Sequence, residues 1–274
     1  MSQFPHDDFA KAYLAELLGR IGTAIPNRPF KSETRLTDLW FQLKPHNEAQ
    51  SQQLGLLGQL LIRDSLIEVF RNAPNPIEIR ACQSKLSHIE TELTRKAKRR
   101  KITLAPEKFP YLWIITPTAS DQLFEQFQAR PTEHLGVYQL PKGQEAGLIV
   151  THHLVPTKET LWLRILGRNG NQQNAIREFA EIPIRNQLYV SIEALLADYR
   201  SNLASRHEQD QEDEDLIMQL SALYQKQQQE WLHTGRQEEK KEVAIALLKE
   251  GVAIEIIAKT TGLSIEMIQQ LPLT

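Results

Sequence analysis

The chain has 274 residues, 41% hydrophobic and 24% charged, with a formal net charge of −2. That describes an ordinary soluble globular protein with room for one sizeable α/β domain and an appendage. No apolar run reaches the roughly 18 residues of a membrane helix, the acidic amphipathic N-terminus lacks the order of a signal peptide, and the single Cys82 rules out an internal disulfide and fits a reducing cytoplasm.

Taken in chain order, DDFAKAYLAELLGRI places Phe9, Tyr13 and Leu17 on one stripe of a first helix. Pro26 and Pro29 break the chain, and a hairpin follows, FKSE and then LTDLWFQL. In the second strand Leu39, Phe41 and Leu43 face one way, and Asp38, Trp40 and Gln42 the other. From about 49 to 70 the spacing turns helical through Leu54, Leu57, Leu61, Val69 and Phe70. A longer helix starts near 75, where Asn75, Pro76 and Glu78 read as N-cap, N1 and N3. Its stripe is Ile79, Cys82, Leu86, Ile89, Leu93 and Ala97. YLWIITPT is a buried strand, and GVYQLP and AGLIVTHHLV are two more, joined by a KGQE turn. Helices near 157–167, 171–181 and 190–204 complete an α/β domain with a mixed sheet over 1–205.

An acidic, Gln-rich stretch opens a helical tail over 206–274. Leu216, Leu220, Leu223 and Trp231 give it an apolar stripe, as in a coiled coil. Such a stripe must be covered, most simply by a second copy of the chain, so a homo-oligomer is expected. Gly251 ends the long helix, and two short helices surround TTGLS, with Ser264 as N-cap of the second. This is a helix-turn-helix pattern, yet its second helix offers Gln269 and Gln270 with no cation, so packing or self-association is preferred over DNA reading.

HDDFAKAYL, an Asp in the second hairpin strand, LWIITPTAS and the tail from GRQEEKKEVAIALLKEG onward together resemble the recombination-promoting nuclease/transposase group of the PD-(D/E)XK nuclease superfamily, in a cyanobacterial-type member. The resemblance implies a restriction-endonuclease-like mixed sheet flanked by helices. It implies a helix Glu, a strand Asp and a Glu/Asp-x-Lys that bind Mg²⁺ and hydrolyse a DNA phosphodiester. Carried over, Asp38 is the strand acid and metal ligand, and Glu16 the helix acid.

The third element departs from the pattern. Glu78-Ile79-Arg80 is an E-x-basic triplet, but Glu78 already has a capping role; YLWIITPT has neither carboxylate nor lysine. Lys85, further along the same helix, stands as a migrated lysine. The alternative to a nuclease is a non-catalytic interaction module that oligomerises through its tail. Arg95, Lys96, Lys98, Arg99, Arg100 and Lys101 form either a solvated helix end or a DNA-phosphate patch. His152 and His153 are adjacent in a strand-like run and would point to opposite faces, so they form no metal pair.

Overall fold

The computed structural model describes residues 5–271 except 31–32, 46–47, 183–185 and 207–208; side chains at 29–36, 226–227 and 229–235 also lie outside the description. The elements run α1 Pro5–Leu18, β1 Gly22–Pro26, β2 Pro29–Phe30, β3 Glu33–Leu36, β4 Leu39–Leu43, α2 Glu48–Gln53, α3 Leu56–Leu60 and β5 Ser65–Val69. They continue as α4 Pro76–Arg100, β6 Tyr111–Thr116, α5 Asp121–Phe127, β7 Arg130–Pro131, β8 Val137–Gln139 and β9 Ala146–Val150. The remaining helices are α6 Leu161–Arg164, α7 Asn169–Ala180, α8 Gln187–Ala204, α9 Gln211–Lys249, α10 Ile254–Thr261 and α11 Ile265–Gln269.

Seven strands form one mixed sheet in the order β1-β4-β5-β6-β9-β8-β7. Strands β1, β4 and β5 make an antiparallel meander. The long helix α4 then crosses over, so that β6, and after it β9, lie parallel to β5. All five residues of β5 and of β9 are buried, and so are five of the six in β6. A parallel centre covered on both faces requires that. LTDLWFQL and YLWIIT thus contribute to the same sheet, as expected.

Trp40, Leu66, Leu112, Ile114, Ala146 and Leu148 turn to one face, where Ile79, Cys82, Leu86 and Ile89 of α4 and Leu123 and Phe127 of α5 cover them. Leu39, Phe41, Ile67, Ile115 and Ile149 are buried on the other. There α1 packs on β1 and β4, and α8 packs on α1, with Phe9 and Tyr199 stacked at 4.4 Å. Gly147 has a local reason: a Cβ there would come within 2.5 Å of the Trp113 ring on the neighbouring strand.

α4 is continuous over 25 residues. Its capping box is complete: the Asn75 carboxamide oxygen accepts from the N–H groups of Ile77 and Glu78, and Glu78 accepts from the Asn75 N–H at 2.7 Å. The reading of 49–70 as helix is corrected. Only α2 and α3 are helical, and 65–69 is the strand β5. His152 and His153 lie in a 3-10 turn after β9, not in a strand.

Two compact units divide at Leu220/Ser221 rather than near 205. In the second, Ala244, Ile257, Leu263 and Ile268 form a small core from α9, α10 and α11. Gly251 takes φ 75°, and the Gly251 and Val252 N–H groups donate to Leu248 and Leu247 oxygens in a Schellman arrangement. The Ser264 hydroxyl accepts from the Met267 N–H, as its N-cap position demands. Leu216, Leu220 and Leu223 are buried within the single chain, while the Trp231 side chain lies outside the described residues. No described helix is long and apolar enough to cross a membrane.

Candidate functional site

The parallel strands β5, β6 and β9 all end at one edge of the sheet, and in open α/β sheets ligands bind at that carboxyl edge. Asp38 is there. It sits in a bend immediately before β4, one step beyond the last paired residues, Leu39 and Ile67. Continuing that antiparallel register brings Asp38 opposite Glu68, the one charged residue in the three parallel strands.

Glu68 is 3% exposed. Its Oε2 accepts a 2.6 Å hydrogen bond from the ammonium of Lys85, which reaches down from the third turn of α4. Its Oε1 is buried without a hydrogen-bond partner. Burial, and then the charge of Asp38, push the Glu68 carboxyl up to about 7, although Lys85 and the Asp38 backbone N–H pull the other way. Burial also raises Asp38, against a 2.9 Å hydrogen bond donated by the Val69 N–H to its Oδ2.

On the opposite face, α1 supplies the neighbouring charges. Lys11 donates to Asp7 Oδ2 at 2.7 Å and lies 3.5 Å from Asp38 Oδ1. Burial would lower the Lys11 ammonium, but its bond to Asp7 and the Asp38 charge hold it above the usual lysine range. Cys82 borders the site as an apolar wall: burial, then the Glu68 charge, push its thiol far up, so it stays protonated.

The structure therefore brings together Asp38 and Lys85 of the residues named from sequence, and adds Glu68, Lys11 and Asp7. Glu16 is elsewhere. Nine residues beyond Asp7 it is turned about 180° around α1 and displaced about 13 Å along it, so Asp7 is the helix acid beside Asp38. Glu78 is spent on the N-cap of α4. Glu78→Ala is accordingly expected to lower stability by about 1 kcal/mol and leave any Mg²⁺-dependent activity unchanged; chemical denaturation beside an activity assay checks both.

Glu68 is followed on the chain by Val69 and Phe70, so β5 itself carries no lysine and the ammonium beside Glu68 comes from α4. A signal was present in SLIEV, a five-residue run with β-branched Ile67 and Val69 set off by Arg63 and Asp64.

Among the described residues no group of three or more His, Cys, Asp or Glu could hold a metal ion. Two facing carboxylates, one with an orphaned buried oxygen, nonetheless fit Mg²⁺, which commonly takes one or two protein carboxylates and fills its octahedron with water and substrate phosphate. Asp38 and Glu68 would be its protein ligands.

All six basic residues of 95–101 are exposed, and Lys96 pairs with Glu92 at 2.9 Å. They lie at the far end of α4, with Lys98 about 20 Å along the axis from Lys85. Comparison with known proteins adds no relative: no family model, curated protein or solved structure matches the chain.

Proposed function

We propose that the protein is a Mg²⁺-dependent DNA endonuclease of PD-(D/E)XK type, in which Asp38 and Glu68 are the metal-binding carboxylates and Lys85 is the lysine, supplied from a helix instead of the strand. The observation that carries this reading is the Glu68–Lys85 pair facing Asp38 at the carboxyl edge. The mixed sheet flanked by helices supports it, because the resemblance implies that architecture.

Each residue has a physical task. Asp38 and Glu68 present carboxylate oxygens, and Lys85 fixes the orientation of Glu68 while placing a cation beside the charge that builds up on the phosphate. Lys11 holds Asp38 and Asp7 in place. The Cys82 wall keeps water from the back of Glu68 and strengthens every charge interaction there. Mg²⁺, when bound, lowers the pKa of a coordinated water and offsets charge at the leaving oxygen. Plasmid nicking with added Mg²⁺ tests the reading: activity in the wild type and its loss in Asp38→Ala is the expected result, and a wild type inert with both Mg²⁺ and Mn²⁺ sinks it.

The second reading, a non-catalytic nucleic-acid- or protein-interaction module, is favoured by one observation, the lack of a three-ligand cluster among the described residues. Both readings use 95–101 as a phosphate patch. Replacing three of its six cations with Gln is expected to weaken DNA binding and flatten the salt slope by about two to three units. An unchanged slope reduces the run to a solvated helix end.

A further inference from the structure

Three arginines from three separate segments converge on the start of α9: Arg71 just after β5, Arg168 as N-cap residue of α7, and Arg206 just after α8. One turn at the start of α9 pairs with all three through two carboxylates. Asp213, only 2% exposed, accepts from Arg71 at 2.7 Å through Oδ1 and from Arg206 at 2.9 Å through Oδ2. Glu212 pairs with Arg168 and also accepts from the Asn169 N–H at 3.2 Å. Arg168 donates in addition to the Asn72 carboxamide.

Two guanidiniums gripping one singly charged anionic group, with a third and a backbone N–H beside it, are the usual equipment for a phosphodiester. A cleft of about 230 Å³, lined by Pro5, His6, Asp7, Val69, Phe70, Arg71 and Arg206, adjoins this cluster and reaches Asp7, which shares Lys11 with Asp38. Arg71 follows Glu68 by three residues, which bounds the distance between their Cα atoms to about 10 Å.

We infer that Arg71, Arg168 and Arg206 form a phosphodiester-binding site for nucleic acid, and that the Glu212–Asp213 turn occupies it in cis as a phosphate stand-in. The inference deepens the proposed function, on which it rests for the identity of its ligand. A strand of nucleic acid must displace the turn to engage the three arginines, so the resting chain binds below its intrinsic affinity by the fraction of time the turn is seated. The displaced acids return to water, where their solvation is recovered. The sequence shows the same arrangement: the acidic run at 207–215 directly precedes the apolar stripe that begins at Leu216, and the two arginine-pairing acids are adjacent residues.

The test is binding of a short fluorescein-labelled DNA duplex to the full-length protein, by anisotropy in EDTA, where no cleavage intervenes. Glu212→Gln/Asp213→Asn is expected to bind about tenfold more tightly or better, with a salt slope steeper by about two to three units, because three arginines become available. Adding Arg71→Gln to that variant should reverse most of the gain. Glu238→Gln/Glu239→Gln makes the same charge change at exposed positions on α9 and should show little gain. Glu212→Gln alone, opposite the partly exposed Arg168, guards against a misfolded double variant and should gain a few-fold. Unchanged or weaker binding in both variants, with cooperative thermal melts intact, overturns the inference, as does a gain that Arg71→Gln leaves untouched. Inert plasmid assays combined with the affinity gain would sink the nuclease reading and leave the arginine site standing; nicking without the gain would do the reverse.

Discussion

Lys85→Met loses about 3–5 kcal/mol of stability at about pH 8, and distinctly less at about pH 5. Removing one partner of a buried ion pair strands the other charge, and Glu68 is 3% exposed. The sign follows from the Glu68 carboxyl, which burial raises in the fold from its ordinary 4.5 to about 7. A raised carboxyl favours the protonated fold, so stability is highest below about 4.5 and falls as pH rises through about 7. Without Lys85 the carboxyl rises further. The gap between variant and wild type therefore opens with increasing pH and closes toward acid. Urea denaturation at the two pH values reads it directly, and a loss equal at both would mean that Lys85 contributes by packing its methylenes rather than by charge.

Glu68→Gln separates stability from chemistry. In the wild type, ionising Glu68 inside the fold costs on the order of 3 kcal/mol, spread over the interval from 4.5 to about 7. The amide cannot ionise, so the variant's stability profile should be flat across that interval apart from contributions of other groups. On the proposed function, Mg²⁺-dependent nicking should fall by about a hundredfold or more, since one of the two carboxylates that would hold the metal is lost. A variant that keeps the wild-type pH slope would show that the slope belongs to another acid, the half-buried Asp38 first among them.

How much of this could be read from the chain alone depended on how local each signal was. α4 was legible because its stripe repeats over many turns and its cap lies within four residues, so no distant partner is needed to define it. β6 and β9 declared themselves by β-branched and aromatic runs. β5 did not. A strand buried on both faces shows no alternation, and SLIEV merged with the Leu54, Leu57 and Leu61 spacing of the two short helices before it. With β5 went Glu68, and with Glu68 the meaning of Lys85, whose partner stands 17 residues back across a strand end and a helix start. Asp38 stood out in the sequence as an acid among apolar residues, though its carboxyl is placed by a bend and the Val69 N–H rather than by strand alternation. Asp7 and Lys11 gave no sign, because an i,i+4 pair on a first helix is ordinary until a tertiary contact shows what it faces.

Carrying the ammonium on α4 changes what kind of variable its position is. A strand residue has two bearings, toward the site or away from it. A helix residue has a bearing that advances by 100° and a height that advances by 1.5 Å. Lys85 follows the buried Cys82 by three residues and precedes the buried Leu86 by one, so its stem runs along the edge of the apolar stripe while its head hangs over the strand end. Positions 81 and 88 share that azimuth to within about 60°, one turn higher or lower. The charge partner of Glu68 can therefore slide along an axis without any strand altering its register, a freedom that an acid-x-lysine on one strand does not have.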